Sequence, residues 1–207
     1  MASALVSFAT ILAAASDVTS DSARADGRAR ERALLIRVRD GDADAFRAVV
    51  EQHIDRVTRL AVYLIGAPDV AEDVTQYVFV QVWEHRRTLD PDRPLRPYLL
   101  RAVHNRAANE RKADAVRARY RQTVHAEALA GAIRTTVPSP EGSVLTSALV
   151  QQALDRLQER RQLALRLWFE QELTPPEIAE VLGISPQAAD RLMRRALADL
   201  RDILAAS

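Results

Sequence analysis

The stretch Ile178 to Leu192, IAEVLGISPQAADRL, holds two short apolar patterns of helical spacing hinged at one glycine, and such a hinge leaves few folds open. A helix-turn-helix needs a very small residue where its second helix crosses the first, a glycine in the turn four positions later, and inward apolar positions beyond it. Ala179, Gly183, Ala189 and Leu192 stand at those spacings, with Ile178, Leu182 and Ile184 as the rest of the expected core. Gly183 would supply the left-handed conformation the turn demands. Ser185 would cap the next helix and Pro186 would occupy its first turn. An ordinary helical hairpin shares this spacing. What favours DNA is the chemistry after the turn, where Gln187, Arg191, Arg194 and Arg195 offer polar and cationic groups to bases and phosphates.

The rest of the chain is patterned for helices too. After GDADAF, Asp42 is placed to cap a helix whose apolar positions Phe46, Val49, Val50, Ile54, Val57, Leu60, Ala61 and Leu64 recur at three and four, and Gly66 ends it. Pro68 then suits a first helical turn, with Asp69, Glu72 and Asp73 near the positive N-terminus. Val70, Val74, Val78, Val82, Phe79 and Trp83 give this second helix an apolar stripe, and TLDPDRP breaks it. A third pattern runs from about Leu95 to Tyr120. VPSPEG, from Val137 to Gly142, is turn chemistry and marks a linker over 122–142. No segment alternates at period two long enough to form a sheet. The expected fold is all-α: two small helical domains, over 31–121 and 143–207, joined by a flexible linker.

Charge is concentrated on the third helix. Between Arg101 and Arg121, seven Arg or Lys face only Glu110 and Asp114, although the whole chain carries a formal charge of +1. That local excess is the footprint expected of a nucleic-acid partner. The chain has no cysteine, which excludes disulfides, thiolate metal sites and cysteine nucleophiles. His53, His85, His104 and His125 form no i, i+4 pair and no HExxH motif, so no metal is expected, and each reads as a surface or core-edge residue. Residues 2–15, ASALVSFATILAAA, are apolar like the middle of a signal peptide. No Lys or Arg precedes them, and the run is shorter than the roughly 20 residues that span a bilayer. Residues 1–30 are read as a flexible N-terminal extension, and the expected location is cytoplasmic.

Two segments together resemble a known family. PDVAEDVTQYVFVQVWEHR followed by RPYLLRAVHNRAANERK is similar to region 2 of bacterial sigma-70 factors of the extracytoplasmic-function (ECF) type, and LDRLQERRQLALRLWFEQELTPPEIAEVLGISPQAADRLMRRALADLR is similar to their region 4. The resemblance covers roughly residues 32 to 204 apart from the linker, with two motifs in the right order. It implies a three-to-four-helix region 2 domain, a helix-turn-helix region 4 domain, and a linker in place of the extra domain of larger sigma factors. Core RNA polymerase and promoter DNA are the implied partners, an anti-sigma factor is admitted, and no cofactor is implied.

Residue by residue, Asp69, Glu72, Asp73 and Gln76 match the family's D-x-x-ED-x-x-Q pattern, whose polar face is associated with the core enzyme. Helix-start charge alone would also account for the acids, at a few tenths to about 1 kcal/mol each, but not for Gln76. Arg101, Asn105, Arg106, Arg111 and Lys112 lie on the helix matching the minus-10 reading segment. The loop Thr88 to Pro97 lies where the family captures a base, and Tyr98, where tryptophan is common, is expected to pack in the core. Ser185, Gln187, Asp190, Arg191, Arg194 and Arg195 match the minus-35 reading helix. Asp190 stands where Lys or Arg is usual, and Leu192 where Arg is often found. Asp190 is therefore expected either to accept from a base donor such as cytosine N4 or to weaken binding. Two rival readings are a stand-alone helix-turn-helix regulator, which leaves DVAEDVTQ and VHNRAANERK unaccounted for, and a polymerase-binding interaction protein with degraded promoter reading. No phosphate-cradling loop, nucleophile triad or metal cluster supports an enzyme.

Overall fold

The computed structural model describes the backbone of residues 19–124 and 152–205, with side chains over 25–113 and 152–205. Its helices are α1 (Thr19–Arg39), α2 (Ala43–Ile65), α3 (Pro68–Glu84), α4 (Leu95–Val124), α5 (Glu159–Phe169), α6 (Pro175–Leu182) and α7 (Pro186–Ala205), with a 3-10 turn at Arg86–Thr88. No strand occurs among the described residues, as the absence of period-two patterning led us to expect. Among the described residues one compact unit is built on 31–124 and a second on 152–180 with 184–205.

In the first unit α2, α3 and α4 pack on one another. The cap residues lie where the sequence placed them. The Asp42 carboxylate accepts from the Asp44 and Ala45 N–H groups, and Gly66 closes α2 at φ 78° with its N–H on the Val62 carbonyl. The Ala45 N–H, and then Arg37, hold the Asp42 carboxyl below its usual range. Val49, Val57, Leu60 and Ala61 of α2 meet Ala71, Val74, Val78, Phe79 and Val82 of α3 and Leu95, Leu99, Leu100, Val103 and Ala107 of α4 in a buried core. Burying each leucine is worth about 1.5–3 kcal/mol, which is what fixes the three helices on one another. Phe46 and Trp83 add a tilted ring pair at 5.0 Å, and Arg86 lies 4.4 Å from the Trp83 ring centroid.

Three expectations need correction here. The helix packing on this core starts at Thr19, within the residues 1–30 read as a flexible extension, although packing itself begins only at Glu31, Leu35 and Val38. Once a turn is nucleated by a packed segment, extension costs little, and Ala- and Arg-rich sequence upstream propagates it. The same reasoning explains why α4 runs to Val124, over the first residues assigned to the linker. Tyr98 is 41% exposed and does not pack in the core. Leu95, Leu99 and Leu100 already occupy the inward positions of that turn. The remaining linker residues and the apolar segment 2–15 lie outside the described residues.

A buried polar contact ties the ends of the first unit together. The His53 Nε2 lies 3.0 Å from the Glu31 carboxylate, whose other oxygen accepts from the Leu95 N–H at 3.4 Å. His53 is 3% exposed, deeper than a core-edge position. Burial pushes the Glu31 carboxyl up, but His53, the Leu95 N–H and Arg96 together outweigh it and hold the group below its usual range.

In the second unit α5 lies against α7. Glu177 reaches back to Thr174 at the start of α6, its carboxylate accepting from the Thr174 N–H and hydroxyl at 2.7 Å each, which is the glutamate half of a capping box. Gly183 turns the chain at φ 63°, and the Ser185 hydroxyl accepts from the Ala188 N–H at 3.2 Å to cap α7. The helix-turn-helix core differs in detail from expectation. Ile178, Ala179 and Ala189 are buried, but Leu182, Ile184 and Leu192 are only half-buried, and Met193, Ala196 and Leu200 take the inward positions of α7. The register follows the 3.6-residue period along α7 from Ala189, which favours Met193 over Leu192.

Candidate functional site

Three polar surfaces carry the residues singled out from the sequence. On α3 the buried residues Ala71, Val74, Thr75, Val78, Phe79 and Val82 occupy one face. The opposite face therefore holds Asp69, Glu72, Asp73 and Gln76, all exposed. Gln76 Nε2 donates to the Glu72 carboxylate at 3.3 Å, so an uncharged amide joins this acidic face. The same face continues into Val80, 52% exposed, a position hidden in the sequence because valine reads as core. Its spacing of four from Gln76 and seven from Asp73 is the signal that could have found it.

On α4 the inward residues Leu95, Leu99, Val103 and Ala107 force Tyr98, Arg101, Asn105, Asn109 and Lys112 onto one outward stripe, spaced by threes and fours. All five are exposed. Arg101 and Lys112 have no acidic partner among the described residues, which leaves their donors available to phosphates. Arg111 is exposed on one side of the stripe. Arg106 points to the other side, where its guanidinium lies 4.8 Å from the Tyr77 ring centroid and pairs with Glu110 at 2.6 Å. The five minus-10 candidates are thus not equivalent: Arg101, Asn105 and Lys112 share the stripe, Arg111 flanks it, and Arg106 is engaged with α3.

The loop before α4 is held from both ends. Leu89 is buried, the Asp90 carboxylate accepts from the Asp92 N–H at 3.0 Å, and Asp92 pairs with Arg32 at 2.6 Å. Helix α4 begins at Leu95, so the last three residues of Thr88 to Pro97 are helical.

On α7 the buried residues Ala189, Met193, Ala196 and Leu200 turn Gln187, Arg191 and Arg194 outward, with Ser185 exposed at the cap. Asp190 and Arg195 lie on opposite flanks of this face. Asp190 pairs with Arg194 one turn along the helix. Arg195 and Arg191 instead face a shallow cleft shared with Gln158, Arg160 and Arg161 at the start of α5. Arg161 is paired with Asp199. One flank is therefore strongly cationic, a surface for phosphate oxygens, and the other carries a carboxylate. Among the described residues no group of three or more His, Asp or Glu could hold a metal ion, and no helix is long and apolar enough to cross a membrane.

These surfaces coincide with two family models. Residues 49–117 match sigma-70 region 2, and residues 147–200 match sigma-70 region 4. Among curated proteins, the RNA polymerase sigma factor NccH of Alcaligenes xylosoxydans xylosoxydans is 31% identical, with 86% of this chain and 96% of NccH covered. The ECF RNA polymerase sigma factor BldN of Streptomyces coelicolor is also 31% identical, with 85% of this chain and 66% of BldN covered. Among solved structures, CnrH in complex with the cytosolic domain of CnrY matches with a TM-score of 0.60 and 26% identity, covering 86% of this chain and 99% of that one. Two regions in family order, on the helices whose outward faces carry the expected chemistry, make this chain a member of the sigma-70 family of the ECF type, a factor that binds core RNA polymerase and directs promoter recognition, strand opening and transcription initiation.

Proposed function

We propose that the three surfaces divide the work of initiation among themselves. Region 2 occupies 31–121 and region 4 occupies 143–207, with 122–142 as linker and 1–30 as an N-terminal extension. Asp69, Glu72, Asp73 and Gln76, extended by Val80, dock on core polymerase. An acidic face with one apolar residue at its end fits a basic partner surface with an apolar pocket, and desolvating Val80 there adds affinity that charge alone does not.

Strand opening needs a cationic track for the displaced backbone and a flat group on which an unstacked base rests. Arg101, Asn105, Arg111 and Lys112 supply the track and Tyr98 the platform, with Arg106 holding α4 to α3 through Tyr77. The observation that carries this reading is the outward stripe Tyr98, Arg101, Asn105, Asn109 and Lys112, an aromatic followed by polar and cationic groups on one helix face. Ser185, Gln187, Asp190, Arg191, Arg194 and Arg195 read the minus-35 element from the major groove. The chain performs no chemistry of its own on this reading, supplying binding energy while the polymerase makes the bonds, and it works in the cytoplasm where the chromosome lies. CnrH has been solved with the cytosolic domain of CnrY, and by that likeness we count an anti-sigma factor among the partners.

The test is run-off transcription by core polymerase with the Arg101→Ala/Lys112→Ala variant. It should bind core normally but open promoters poorly, with weaker affinity for single-stranded minus-10 DNA and a log-log salt slope flattened by roughly 0.7 per lost phosphate contact. Unaltered opening would refute the stripe.

A further inference from the structure

Among the first turns of α7, where Gln187, Arg191, Arg194 and Arg195 lie, Asp190 is the one carboxylate, and a phosphate-binding helix would not choose it there. We propose that Asp190 sets minus-35 specificity indirectly, as a positioning residue that holds the Arg194 guanidinium toward a guanine and away from the backbone. This inference rests on the reading of α7 as the major-groove helix.

Gln187, Arg191 and Arg194 occupy the middle of the outward face, opposite buried Ala189, Met193, Ala196 and Leu200. Arg191 and Arg195 border the cleft with Arg160 and Arg161, so the phosphate-binding capacity of this surface is gathered on one flank. Asp190 sits on the other flank and takes a single guanidinium nitrogen, Nη2, of Arg194. An arginine carries five donors in a rigid planar fork, so fixing one of them limits the directions the others can face. The remaining donors of Arg194 stay available, since its side chain is 71% exposed.

On the free protein this exposed i, i+4 pair is a weak bias. In the groove, water is displaced and the local dielectric falls, so the attraction between Asp190 and Arg194 grows as the complex forms. Two consequences follow. A positioned fork pairs with the O6 and N7 acceptors of guanine, the commonest specific use of arginine in the major groove. The carboxylate also repels a phosphate that would otherwise capture Arg194, which lowers affinity for unrelated DNA. A base reader with a carboxylate buttress gives up general affinity for selectivity, whereas a direct contact from Asp190 to cytosine would leave Arg194 uninvolved.

The experiment is selection of transcribed promoters from a library randomised in the minus-35 element. It uses core polymerase with the full chain as wild type, Asp190→Asn, Arg194→Ala, the double variant, and Gln187→Ala and Arg191→Ala as controls. Helical content by circular dichroism checks folding, and all four substituted residues are exposed. Wild type should prefer guanine at one position. Arg194→Ala should abolish that preference, and Asp190→Asn should weaken it about tenfold, within the range a bidentate arginine–guanine contact provides. The double variant should match Arg194→Ala. Asp190→Asn should also bind unrelated duplex more tightly, with a salt slope steeper by up to about 0.9 for one regained phosphate contact. The proposal is overturned if wild type shows no guanine preference, if Asp190→Asn leaves it intact, or if Asp190→Asn still changes the selected sequence when Arg194 is alanine. Unchanged selection by the Gln187→Ala and Arg191→Ala controls as well would overturn the major-groove reading itself. Altered selection in those controls, with no effect at Asp190 and Arg194, would overturn the buttress alone.

Discussion

Replacing His53 by leucine should destabilise the first unit in a way that depends on pH. In the native protein Glu31 is 9% exposed, and its carboxylate meets His53 at 3.0 Å and the Leu95 N–H at 3.4 Å. Leucine removes the stronger contact and leaves a buried carboxylate with one long hydrogen bond. Such a loss costs about 2 kcal/mol, a 30-fold change in the ratio of folded to unfolded molecules. The sign with pH follows from the carboxyl group. Its folded value lies below the usual range in the native protein, so the stability it contributes is present above that range and disappears as pH falls through the folded value. With His53 gone, burial becomes dominant and raises the folded value, so the variant carries a penalty near neutral pH that protonation relieves. The gap between native and variant should therefore be widest near neutral pH and close as pH falls through the glutamate range. Urea unfolding followed by Trp83 fluorescence, with Trp168→Phe removing the only other indole, reads this unit. Adding Glu31→Gln to His53→Leu should recover part of the loss, because no buried charge then remains. Equal urea midpoints at neutral pH, or a gap that does not change with pH, would refute the reasoning.

Asp73→Ala/Gln76→Ala should weaken capture of core polymerase while leaving helical content unchanged, and Val80→Asp alone should do the same; pull-down of core distinguishes these from a folding defect. Tyr98→Ala should slow promoter opening and Tyr98→Phe should preserve it, measured by permanganate reactivity of the minus-10 thymines, since a stacking platform needs the ring and not the hydroxyl. Gly183→Val should lower the stability of the second unit by about 1–2 kcal/mol, because the turn holds φ at 63° and a β-branched residue is strained there however open the surroundings; an unchanged thermal midpoint would contradict this.

The helices and caps were legible because each rests on local chemistry. Asp42, Gly66, Gly183 and Ser185 act through their own backbone neighbours, so sequence order alone locates them. Faces were harder to read. The side of α4 that Tyr98 takes depends on Leu95, Leu99 and Leu100 meeting α2 and α3. Val80 was hidden for the same reason, and Met193 displaced Leu192 by one position in register. The least legible features join residues far apart in the chain. Nothing near His53 announces Glu31, 22 positions away, or the α4 start beyond it. The Asp190–Arg194 pair, by contrast, has the i, i+4 spacing of neighbours on one helix face and is legible in the sequence.

The most direct test of the whole account is to mix the purified chain with core RNA polymerase on genomic promoter fragments and measure specific run-off transcripts. Discrete transcripts should appear only when the chain is present, should fall sharply with Asp73→Ala/Gln76→Ala through lost core binding, and should fall with Arg101→Ala/Lys112→Ala while core binding persists. Transcripts independent of the chain, or chain-dependent transcripts indifferent to both sets of substitutions, would contradict it.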